Sequence, residues 1–187
     1  MISYKEIEQL RGQLAELEQQ FWLDHVLFSI QWWILLATLL IPWVVWWRLV
    51  DKRNFKVILL YGLIIMVLIN IMDHTGLQLR LWSYKYKLSP LVPILSPIDL
   101  SLLPVLYMLM YQYFRSWKAF WIAQIVGAAV FSFVGEPIFV ALGIYRMLNW
   151  EHYYSYPIYI ALAVLIRCFL VLLLKKSSDR LEDKRAQ

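Results

Sequence analysis

From Val26 to Trp47 the chain runs for 22 residues without a single charged side chain. At about 1.5 Å per residue, such a helix covers the roughly 30 Å hydrocarbon core of a bilayer. Trp32 and Trp33 stand near one end of the run and Trp43, Trp46 and Trp47 at the other. Indole rings at both ends match the aromatic belts of a helix that meets two interfaces.

The same pattern recurs along the chain, and the spacing predicts an all-α, polytopic membrane bundle. Five transmembrane helices are expected at about 26–47, 56–73, 97–114, 118–145 and 157–174, within a membrane domain of residues 25–175. The second uncharged run, Val57 to Met72, is 16 residues long and needs its flanks to span. The third holds Pro90, Pro93, Pro97, Pro104 and Asp99, the fourth is interrupted only at Glu136-Pro137, and the fifth contains Arg167. With 61% hydrophobic and 17% charged residues, a water-soluble globular or disordered chain is excluded. Cys168, the one cysteine, rules out a disulfide scaffold. The net charge of +5 is spread thinly over short loops, which speaks against a nucleic-acid partner.

Basic residues set the expected orientation. Arg48, Lys52, Arg53, Lys56, Arg115, Lys118, Lys175, Lys176, Arg180, Lys184 and Arg185 fall on one side, eleven in all. Lys5, Arg11, Arg80, Lys85, Lys87 and Arg146 fall on the other. The N-terminus is therefore expected outside and the C-terminus, with a charged tail over 176–187, in the cytoplasm of a cell carrying this multi-pass protein in its membrane. The first 24 residues are too polar for a cleavable signal peptide.

Within residues 1–24, Ile7, Leu10, Leu14, Leu17 and Phe21 repeat at spacings of three and four, which predicts an amphipathic helix. Two readings stay open: a helix lying at the bilayer interface, or a short coiled-coil contact with a second copy or another membrane protein.

Ionisable groups inside a span are costly and are read as candidates for function. Glu136 and Arg167 lie at similar distances from the expected outer ends of consecutive helices, so an ion pair between them is expected. Pro137 should kink its helix by crowding the carbonyl of Phe133. Ser96-Pro97-Ile98-Asp99 reads as a capped helix start. That leaves Leu88–Ser96 as an apolar, non-helical segment which must fold against the bundle, since such backbone is not left facing lipid. Asp73 and His74 are expected to close the second helix, with Thr75-Gly76 as the stop. Gln31, Asn70, Asp73, His74, Asp99, Glu136 and Arg167 thus all belong to the outer half of the bilayer. Together they predict an outward polar cavity walled by Trp82, Tyr84, Tyr86, Trp150, Tyr153 and Tyr154. Its acidic balance suits a small cationic ligand or a lipid. His25, Glu151 and His152 lack zinc spacing, so no metal or other cofactor is expected.

The stretches Trp82-Ser-Tyr84-Lys-Tyr86, Asp99 with Pro104, Met110-Tyr-Gln-Tyr-Phe114 and Trp117-Lys118 form a combination with Gly135-Glu136-Pro137-Ile138-Phe139. Gly143-Ile144-Tyr145, Asn149-Trp150-Glu-His152, Tyr154-Ser155 and Pro157-Ile158-Tyr159 complete it. Over residues 20–172 this pattern resembles an uncharacterised family of small multi-pass membrane proteins from spore-forming Gram-positive bacteria. The resemblance implies a bacterial cytoplasmic membrane, a link to spore-forming physiology and an acidic residue at Asp73. His74 departs from an acidic pair there, and no catalytic residue carries over.

Two function classes follow. One is a small sensor, transport accessory or assembly subunit that binds a ligand in the outer cavity. The other is an intramembrane enzyme acting on a lipid or isoprenoid, with Glu136 or Asp99 as general acid.

Overall fold

The computed structural model describes residues 3–185, with side chains over 3–176; most of the charged tail expected over 176–187 therefore lies outside the described side chains. The chain is mostly helical. Helix α1 (Tyr4–Phe21) opens with a capping box, in which Ser3 Oγ accepts from the Glu6 amide and Glu6 accepts from the Ser3 amide. A π turn over Trp22–Val26 follows. Phe28 then takes a left-handed φ of 60°, and Ser29 caps α2 (Ile30–Leu49) through the Trp32 amide. The first span therefore starts four residues later than expected.

Helix α3 covers Phe55–Gln78. It runs on through Thr75-Gly76, correcting the expected stop. Gly76 has a packing role instead: a Cβ there would overlap the ring of Trp82. The helix ends at Arg80, whose left-handed φ of 55° lets the Leu81 amide bond back to Gly76.

Beyond Arg80, strand β1 (Trp82–Tyr84) pairs antiparallel with β2 (Tyr145–Met147), placing Ser83 opposite Arg146. This small sheet corrects the purely α-helical expectation. Its strands are three residues long and about 60 apart, too short and too distant for alternation to reveal.

Residues 85–95 are non-helical, as expected, and fold onto the bundle. Leu88 packs against the core, Leu95 is buried, and the indoles of Trp22 and Trp32 donate to the carbonyls of Lys87 and Leu88. A π turn over Ile98–Leu102 then leads into α4 (Leu103–Tyr113). Helix α5 (Trp117–Val130) passes through a further π turn, Phe131–Gly135, into α6 (Glu136–Ala141), and α7 spans His152–Arg185.

The two π turns before α4 and α6 share one cause. Each is followed after one residue by proline, Pro104 or Pro137. A proline cannot donate to the ladder and its ring crowds the carbonyl four residues earlier. Here the preceding turn widens, so that Leu103 bonds back to Ile98 and Glu136 to Phe131. The carbonyl of Leu100, four residues before Pro104, receives Trp43 Nε1 at 3.0 Å instead. The expected kink is thus realised as a bulge that turns Glu136 inward.

Four helices are long and apolar enough to cross a membrane: Ile30–Leu49, Phe55–Gln78, Trp117–Ala141 and His152–Lys176. The π turn and α4 together are shorter. Even so, α4 runs between the same two ends as its neighbours. Its start adjoins Asp73 near the sheet, whereas Gln112, near its finish, joins Leu49 and Asp51. It is also the central helix, with Val105, Tyr107 and Met108 buried against α2, α3 and α7.

Candidate functional site

A cavity of about 320 Å³ lies at the sheet end of the bundle, between α3, the start of α4, α6, the sheet and α7. Its walls are mostly apolar. The rim includes Ile71, Met72 and Leu79, exposed residues of α3, together with Ile158 of α7. The mouth therefore opens sideways, toward the flank of the bundle.

Three acids line it: Asp73, Asp99 and Glu136, each at most 6% exposed. Asp73 reaches inward from α3 on the stripe Ile65, Ile69, Asp73, Gly76, whose spacings of four and three share one helical face. Its Oδ1 accepts from Trp82 Nε1 at 2.7 Å and from the Tyr84 hydroxyl at 2.6 Å; Oδ2 accepts from the Leu95 amide at 3.3 Å. The strand β1 thus exists to bring two aromatic donors onto one carboxyl, and Gly76 gives Trp82 the clearance to reach it.

Asp99 stands in the π turn before α4, hydrogen-bonded to the Asp73 carboxyl. A bond between two carboxyls needs one shared hydrogen. Asp99 Oδ2 is enclosed and receives no N–H or O–H from the described residues. The expected cap at Ser96 is not formed: the helix start is closed by the Leu95 carbonyl, which accepts from the amides of Ile98 and Asp99.

Glu136 is held differently. Its Oε1 accepts from the Tyr159 hydroxyl at 2.8 Å and its Oε2 meets His152 Nδ1 at 2.9 Å. His152, Ser155 and Tyr159 lie at spacings of three and four on the inward face of α7.

The expected Glu136–Arg167 pair does not form. Because α7 begins at His152, Arg167 lies 15 residues further on, about 22 Å along the axis. It belongs to the opposite end of the bundle. There its guanidinium, 7% exposed with its residue, donates to the carbonyls of Phe114 and Arg115. It also lies over the rings of Phe120 at 4.2 Å and Trp117 at 4.5 Å. A cation here caps the carbonyl end of α4 and is screened by aromatic faces.

The other expected site residues divide. Trp82, Tyr84 and Trp150 line the cavity with the three acids. Gln31 instead donates to the Leu142 carbonyl, Asn70 folds back onto Met66 of its own helix, and His74 is exposed on the outer face of α3. Tyr86 packs against the core below the sheet. Tyr153 and Tyr154 are exposed, and Tyr154 touches only the outer edge of Trp150 among the wall residues. Sequence reasoning missed Tyr145, Ser155 and Tyr159 in the wall and His152 behind Glu136. The 152/155/159 spacing carried the signal for the last three.

The wall contains no lysine or arginine, and Trp82, Tyr84, Tyr159 and Trp150 already donate to protein acceptors. What the cavity offers is acceptor capacity within an apolar enclosure. Among the described residues, no three His, Cys, Asp or Glu side chains cluster as a metal site would require. No family model, curated protein or solved structure matches the chain.

Proposed function

We propose that the protein crosses the bilayer five times, with its N-terminus outside, and binds the cationic head of a lipid-like amphiphile in the outward cavity. In this role it serves as a small sensor, transport accessory or assembly subunit. The observation that carries the reading is the convergence of Asp73, Asp99 and Glu136 on an apolar cavity without a lysine or arginine. An ammonium head supplies the hydrogen that Asp99 Oδ2 lacks, and an alkyl chain leaves through the sideways mouth. The fifth crossing is α4, whose polar ends meet the loops of its neighbours and whose middle is shielded by them.

The test is thermal unfolding of purified protein in neutral detergent with dodecylamine, dodecanol or dodecyl phosphate at matched concentrations. Dodecylamine is expected to raise Tm in a saturable way, and Asp99→Asn to weaken its binding about tenfold, the equivalent of about 1.4 kcal/mol. Equal stabilisation by the alcohol or phosphate, or an unchanged affinity in Asp99→Asn, overturns the reading.

A second reading rests on the hydrogen-bonded Asp73–Asp99 pair. A carboxylic acid held in an apolar, aromatic-walled site can act as a general acid on a lipid or isoprenoid. Conversion of an extracted lipid pool by the wild type and not by Asp99→Asn supports this enzyme; no product across neutral and polar lipid fractions counts against it.

A further inference from the structure

Helix α1 stands apart from the bundle. Every residue from Ser3 to Phe21 is exposed, and its links to the rest of the chain gather at its last turn, where Glu18 meets Lys87 at 3.3 Å. Yet it presents a continuous apolar seam of Ile7, Leu10, Leu14, Leu17 and Phe21, all at least 38% exposed. We propose that this seam is the contact of a parallel two-stranded coiled coil with a second copy of the same chain.

Three observations select that occupant over the bilayer surface. First, the seam is narrow. The apolar residues follow an unbroken three-four alternation, so they occupy only the a and d positions of consecutive heptads, beginning with Ile7 at a. Helices that lie on a membrane present a wider apolar face, about 100° or more. Second, the charge is wrong for a bilayer. Helix α1 carries Lys5 and Arg11 against Glu6, Glu8, Glu16 and Glu18, whereas surface-bound helices favour lysine and arginine beside anionic headgroups.

Third, the flanks are complementary to themselves. In a parallel pair, a g residue faces the e residue of the next heptad on its partner. That register sets Glu6 against Arg11 of the second copy, twice by symmetry, and Gln13 against Glu18 without a like-charge clash. Gly12, the weakest helix former in α1, falls at the outermost f position, where nothing lies within 4 Å of an added Cβ. Two copies inserted in one membrane share an axis along its normal, which pairs helices rising from the surface in parallel. Two heptads would be marginal between free chains, but tethering in one bilayer raises the effective concentration.

The experiment uses the full chain in phosphatidylcholine–phosphatidylglycerol vesicles, in a Cys168→Ala background. Single cysteines are introduced as Leu10→Cys, Leu17→Cys and Gly12→Cys and oxidised with copper phenanthroline. Disulfide-linked dimers are expected from the first two and not from the third. With Leu17→Cys as reporter, Arg11→Glu should lower the dimer yield about twofold or more, the effect of losing exposed ion pairs. Adding Glu6→Arg should restore it. Equal yields at all three positions, no dimer at Leu10 and Leu17, or no rescue by the charge exchange overturns the proposal. The ligand readouts of the cavity are independent of this outcome.

Discussion

A side chain's surroundings, more than its depth, decide what a buried charge does here. Arg167 and Glu136 were expected as partners, and each instead solves a separate local problem. Arg167 meets the last carbonyls of α4 and three aromatic rings; Glu136 meets a tyrosine and a histidine. Replacing Arg167 by methionine removes the cap and the ring contacts, and should cost on the order of 2 kcal/mol. Because the two sites share no partner, Glu136→Gln and Arg167→Met should lower stability additively, to within about 0.5 kcal/mol. Unfolding of the two single variants and the double variant in mixed SDS micelles reads this directly. A larger coupling would mean the two charges do sense one another.

At the scale of the element, most of the helical framework was legible because hydrophobic runs and belts are long signals that tolerate errors at the ends. The start of α7 was not. Counting from Pro157 rather than His152 misplaced Arg167 by more than a turn and hid the inward stripe of His152, Ser155 and Tyr159. The sheet escaped for a different reason, since its two strands pair across most of the membrane domain. That pairing is also what makes Gly76 indispensable. Gly76→Ala should push Trp82 off Asp73 and cost about 1–3 kcal/mol, as overpacking does. At Gly135 an added Cβ meets Phe131 at 3.5 Å, an ordinary contact. Gly135→Ala should therefore be neutral or stabilise by up to about 1 kcal/mol through helix propensity. Thermal unfolding separates the two glycines. Intrinsic tryptophan fluorescence should shift only for Gly76→Ala. Arg80→Gly provides a third check: a glycine at φ 55° relieves strain of about 1 kcal/mol and should raise Tm.

The whole molecule has two unlike ends, and the corrected position of Arg167 sharpens the contrast. One end gathers the sheet, the cavity and its acids. The other gathers the loops of Arg48, Lys52, Arg53, Lys56, Arg115 and Lys118, and now also the guanidinium of Arg167. Moving that charge raises the count at the basic end from eleven to twelve, against six at the sheet end. Lysine and arginine are retained on the cytoplasmic side during insertion, so the cavity should face outward. Cysteine labelling in intact cells decides this, again in the Cys168→Ala background. Lys85→Cys, beside the sheet, should react with a membrane-impermeant maleimide added from outside. Lys52→Cys, in the α2–α3 loop, should react only after permeabilisation. The reverse pattern would place the acids at the cytoplasmic face, where any amphiphile taken up by the cavity would have to come from the inner leaflet.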